Sequence, residues 1–266
     1  MKFGIFTLFI AARLFAQQQA EPTKDGGITL QLQGQTPKQA QASGKSARET
    51  APFDLTGYWV SVINEDWRWR MMTPPKGDFS SVPLNIEGRR VADLWDPAKD
   101  EAAGVQCRVY GAPSLMRLPM RLHITWADDN TLKIETDAGT QTRLLHFGEA
   151  PPAAQPSWQG SSLAIWEAEP GAQKRSAGPT GPRDLKVSTT NLRAGYLRRN
   201  GIPFSENTRL TEYIDLFPKQ SNGDEWMVLT AIVEDARYLT ERFITSSNFK
   251  REPDGAKWHS TPCTTR

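Results

Sequence analysis

Cysteine and histidine are scarce, two and three residues respectively in a chain of 266. So small a set assembles no zinc ribbon, iron–sulfur site or haem attachment motif, and neither a metal nor another cofactor is expected. No apolar run reaches the about 20 residues of a membrane-crossing helix, so no membrane span is expected. Neither sign of charge dominates: 32 Lys and Arg stand against 30 Asp and Glu, with no basic block, which argues against a nucleic-acid partner. A G-x-S-x-G nucleophile turn, a phosphate loop and a G-x-G-x-x-G turn are all missing, so no motif names a reaction. What is present, 38 % hydrophobic and 23 % charged residues, is the composition of a globular protein.

The N-terminus reads as an export signal. Lys2 supplies the positive start and Phe3 to Ile10 are mostly apolar. Ala11, Ala12, Leu14, Phe15 and Ala16 then precede Gln17, which places cleavage after residue 16. Removal of residues 1–16 takes Lys2 and Arg13 and leaves a neutral mature chain. Residues 17–52 are poor in aromatics and rich in Gln, Ala, Lys, Ser and Thr, the composition of a flexible leader. Within them Ile28 to Leu32 alternates and could add an edge strand. Residues 53–266 form one domain, in which Ala168 to Pro182 reads as a surface loop.

The domain is patterned for strands. Thr56 to Ile63 carries Tyr58, Trp59, Val60 and Val62. Residues 120–147 spell a three-stranded meander, with Asp128-Asp129-Asn130 and Asp137-Ala138-Gly139 as its turns. Further strands are predicted at Ser161–Glu167, Asp184–Leu192, Thr208–Phe217, Glu225–Glu234 and Glu241–Arg251, with Asn222-Gly223-Asp224 turning between two of them. Asn85 caps one short helix over residues 86–94, which the Asp96-Pro97 step terminates. About nine or ten strands with one or two short helices predict an all-β antiparallel barrel, with a sandwich as the alternative.

In an exported chain two cysteines predict one disulfide, Cys107 to Cys263, pinning the C-terminal tail to the body. Two buried free thiols are the alternative.

The most unusual stretch is Glu65 to Met71. As a strand it puts Trp67, Trp69 and Met71 on one face and Asp66, Arg68 and Arg70 on the other. That pattern serves an aromatic pocket wall, an anion site of two guanidiniums, or an ordinary amphipathic strand with outward salt bridges. His123 and His146 lie on strands and titrate near neutral pH, but a lone strand histidine is more often structural. Glu234-Asp235 ends a strand, either as an acid–base pair or as a solvated turn. Gly195 to Phe204 is a loop carrying Tyr196, Leu197 and Phe204, either a lid or plain packing.

Asp54-Leu55-Thr56-Gly57-Tyr58-Trp59 resembles the G-x-W opening strand of lipocalins and related calycin barrels. In that family the tryptophan crosses the closed end and meets a later arginine. Leu84 to Arg89, Trp95 to Asp100 with Cys107, Gly160 to Glu167 and Ile232 to Tyr238 resemble a group of exported bacterial proteins of unknown function. These resemblances imply export to the periplasm or beyond and a β-rich body; they assign no catalytic residue.

The expected function is binding of a small, largely apolar molecule in a lipocalin-like barrel, lined by Tyr58, Trp67, Trp69 and Trp126 among nine tryptophans. One alternative is an isomerase, cyclase or hydrolase with Asp66, Arg68, Arg70 and His123 converging in the cavity. Another is a structural or assembly protein of the cell envelope. The sequence leaves oligomeric state open.

Overall fold

The computed structural model describes residues 44–149, 155–167 and 184–265. The signal segment, the 28–32 strand and the 168–182 loop lie outside them.

Nine strands close into a barrel: β1 (Gly57–Val62), β2 (Arg121–Asp128), β3 (Thr131–Thr136), β4 (Thr142–Phe147), β5 (Ser161–Glu167), β6 (Asp184–Thr190), β9 (Arg209–Leu216), β10 (Trp226–Glu234) and β11 (Phe243–Glu252). Two-residue strands β7 (Gly195–Tyr196) and β8 (Pro203–Phe204) pair as a separate hairpin. The predicted meander and the five later strands therefore form as read, within a residue or two. Alternation is the cause, since Leu122 and Ile124 on β2 or Met227, Leu229, Ala231 and Val233 on β10 fall on the buried face.

The barrel is antiparallel as expected but for one pair, which makes the sheet mixed. β4 and β5 run parallel, Leu145 opposite Ser162 and Phe147 opposite Ala164. β5 therefore starts at the barrel end from which β4 starts.

The expectation of a strand over residues 65–71 is corrected. After β1 the chain turns at Asp66, which takes the left-handed conformation (φ 53°, ψ 23°), and Trp67–Arg70 form a single helical turn, α1. Helical rotation exchanges the expected faces: Trp67 is 61 % exposed, whereas Arg70 is 3 % exposed. Helix α2 (Ile86–Asp93) forms as read, its Gly88 N–H donating to the Asn85 side chain at 2.8 Å. The Asp96-Pro97 step does more than end it. Asp96 caps α3 (Pro97–Ala102), and proline suits a first helical position because its missing N–H would have no partner there. A 3-10 turn (Gln106–Tyr110) and α4 (Ala112–Leu115) follow, so residues 63–120 carry more helix than expected. With Ala112, Leu115, Met116 and Leu118 buried, they cover the barrel end that holds the starts of β2, β4, β9 and β11.

The opposite end is closed from the N-terminal side. Residues 44–52, expected as the tail of the leader, already pack: the Ala47 N–H donates to Asn130 Oδ1 and the Trp166 indole N–H to the Ala47 carbonyl. Trp59 is fully buried, its indole N–H on the Leu55 carbonyl at 2.9 Å. The Arg251 guanidinium lies 4.3 Å from the Trp59 ring centroid and donates to the Asp54 and Thr56 carbonyls and to Glu225.

A buried ion pair crosses the lumen. Arg143 on β4 donates to both carboxylate oxygens of Glu212 on β9, at 2.9 and 2.6 Å, with each side chain 1 % exposed. Thr189 and Ser162 extend the network, and among the described residues Arg143 Nε has no acceptor. Cys107 and Cys263 form the expected disulfide, 156 residues apart in sequence.

Two stability outcomes are expected. Replacing both cysteines by serine lowers unfolding free energy by about 2–5 kcal/mol in denaturant titrations, because the open chain regains loop entropy. Glu212→Leu strands a buried guanidinium and costs about 3–5 kcal/mol, while adding Arg143→Met recovers most of the loss; the two-variant comparison is read from the same titrations.

Candidate functional site

The residues expected to line one pocket stand in four places. Tyr58 is on the outer face of β1, stacked on His123 at 4.3 Å with Trp258 edge-on to both. Trp126 belongs to an aromatic cluster at the closed end with Phe147, Trp166 and Phe53. Trp67 faces solvent. Trp69 stands between Arg68 and Arg198, its indole N–H on Asp78.

The proposed catalytic set divides likewise. Asp66 accepts from Arg117 at 2.8 Å and Arg68 pairs with Asp78 at 3.2 Å. Buried Arg70 donates to the Arg117 carbonyl, to Glu65 and to Ser247. Burial, then repulsion from Arg117, lowers both Arg70 and Arg198 to about 10. These groups gather at the helix-covered end; His123 does not join them, facing Tyr58 and Glu135 outside the barrel. His146 meets Thr131. Glu234 pairs with Arg242 at the surface, whereas Asp235 is buried and accepts from the Ser205 N–H, both hydroxyls of Ser205 and Thr208, and the Arg237 N–H. That carboxylate pins the β10–β11 corner to the segment after β8, a role neither earlier reading foresaw.

A concave site forms elsewhere, between α2–α3 and the β7–β8 hairpin. Its volume is about 360 Å³, and Trp95, Tyr196, Phe204 and Tyr238 supply aromatic walls beside Val91 and Leu94. Gly201, at φ +82°, leaves room for Trp95: a Cβ there would sit 2.2 Å from that residue's own Cβ. The 195–204 loop is thus a wall of the cleft, with Leu197 packed in the core.

Three polar side chains converge in it. Arg108 Nη1 donates to Asp100 Oδ1 at 2.9 Å and to Tyr196 Oη at 3.0 Å, and the Tyr196 hydroxyl donates to Asp100 Oδ2 at 2.8 Å. Cys107 fixes the 3-10 turn that carries Arg108, so the disulfide anchors one corner of the triad. Burial pushes the Tyr196 phenol up to about 12; the Arg108 hydrogen bond opposes the shift and that to Asp100 reinforces it. The phenol is therefore a donor at any physiological pH. Sequence reading missed this triad, although Asp96-Pro97 marked a helix start and Cys107 lies next to Arg108.

A second hollow of about 640 Å³ runs along the ends of β1 and β2, beside Met71, Pro119 and His259. Its charged groups, Arg121 and Asp137, already face each other at 3.8 Å. Among the described residues no group of three His, Cys, Asp or Glu side chains is placed to hold a metal, and no helix is long and apolar enough to cross a membrane. No protein-family profile matches the chain, and no curated protein or solved structure matches it either.

A phenol held near 12 in the fold against about 10 in the unfolded chain stabilises the fold below pH 10, and that contribution is lost as pH rises toward 12. In a phenolate-absorbance titration of the folded chain, Tyr196→Phe should remove the transition near pH 12. It should also flatten the loss of stability over that window.

Proposed function

We propose that the chain is an exported, lipocalin-like protein that binds a small, largely apolar molecule, and that the molecule sits in the Trp95–Tyr196–Phe204–Tyr238 cleft instead of the lumen. One observation carries this reading: a hollow of about 360 Å³ joins aromatic walls to three convergent polar side chains. Ligand sites combine a mostly apolar lining with few placed polar groups, in volumes of roughly 300–1,000 Å³. Against a lumenal site stand the buried Arg143–Glu212 pair and the inward apolar side chains of the strands. Export is supported by the disulfide, a bond that persists in oxidising compartments, and by the signal-like first 16 residues. The lipocalin-like reading is supported by Gly57, Trp59 and the Arg251 contact.

The test is tryptophan emission titrated with a neutral aromatic alcohol, naphthylmethanol. Binding should quench emission, and Trp95→Phe should reduce the quench. Ala194→Phe, which fills the cleft from its rim, should weaken binding about tenfold or more, a loss of about 1.4 kcal/mol. Trp126→Phe, at the closed end, should change nothing. Equal binding by the Ala194→Phe variant, or no binding by the parent, refutes the reading.

A further inference from the structure

We infer that the molecule taken by this cleft carries a carboxylate, received by the free edge of the Arg108 guanidinium. The inference rests on the cleft being the binding site and adds the chemical class of its occupant.

The triad spends its groups unevenly. Both oxygens of Asp100 are engaged, one by Arg108 and one by Tyr196, and that side chain is only 9 % exposed. Arg108 is 37 % exposed and uses Nη1 alone; among the described residues its Nε and Nη2 have no acceptor. Those two nitrogens form one edge of a planar fork whose spacing matches the two oxygens of a carboxylate. Asp100 and the Tyr196 ring, 5.6 Å from the guanidinium, hold the fork in place before any ligand arrives, so little side-chain entropy remains to be lost on binding.

The remaining charges do not reverse this preference. Asp96 and Lys99 sit at the rim, 3.6 Å apart, and offset each other. The opposite preference deserves a hearing, because aromatic walls with a carboxylate also suit a quaternary or primary ammonium through cation–π contact. Here the carboxylate is already covered and the accessible charge is positive, so an ammonium would meet Arg108 first. Trp95, Phe204 and Tyr238 leave the rest of the occupant apolar and flat-sided. The occupant is therefore an aromatic or similarly flat apolar acid.

Three probes of one shape separate the possibilities on the full mature chain: naphthoate, naphthylmethanol and naphthylmethylammonium, each titrated by tryptophan quenching near neutral pH. The expected result is naphthoate tighter than the alcohol by about tenfold or more, and the ammonium no tighter than the alcohol. Arg108→Gln should bring naphthoate down to the affinity of the alcohol for the same variant. Arg108→Lys, which keeps the charge but loses the fork, should fall between. Equal affinity for naphthoate and the alcohol overturns the carboxylate while leaving the cleft in place. So does a tighter ammonium, or a naphthoate preference that survives Arg108→Gln. If none of the three binds, the cleft reading fails and this inference with it.

Discussion

The clasp of Arg251 on Trp59 is the contact on which the barrel's closure depends. β1 is the first strand of the ring and β11 the last, and Trp59 stands opposite Arg251 where they meet. The guanidinium covers the indole and donates to the carbonyls of Asp54 and Thr56. Its Nε reaches Glu225, in the turn between β9 and β10. One planar cation thus joins the entering chain, the closing strand pair and a distant hairpin. Lysine, with a single nitrogen, has no such geometry.

Closure at that end and covering by residues 63–120 at the other turn the barrel into a support. The lumen holds a buried, paired arginine and glutamate, and one concave surface lies where the helical cover meets the β7–β8 hairpin. The disulfide matters there as well. By tying the 3-10 turn to the tail, it gives Arg108 a fixed backbone from which to meet Asp100 and Tyr196. Rigid placement of a few polar groups in an apolar hollow is what separates a binding site from a mere depression.

Much of the fold was legible because a strand writes its burial into adjacent residues. Leu122, Ile124 and Trp126 alternate with Arg121, His123 and Thr125, and no other structure fits so well. The 65–71 stretch misled for a related reason: alternating tryptophan and arginine looks like a strand, yet the left-handed turn at Asp66 starts a helical turn there and no local pattern announces it. Asp235 was read from its neighbour Glu234, although its partners Ser205 and Thr208 lie about 30 residues away. The cleft was the least legible feature. Asp100 and Arg108 are 8 residues apart, but Tyr196 is 88 beyond Arg108, and only the completed barrel end brings them together.

The strand count itself carries a consequence. In a closed ring with every neighbour antiparallel, directions must alternate, and alternation returns to its starting sense only when the number is even. Nine is odd, so at least one pair must run the same way. This ring has the minimum, a single such seam at β4–β5, only three residue pairs long. A chain of nine hairpin-joined strands would place that seam where its first and last strands meet; here β1 and β11 meet antiparallel, and the seam falls instead between two strands consecutive in sequence. Moving the seam to the closure would make β1 and β11 parallel and abolish the antiparallel register that sets Trp59 opposite Arg251.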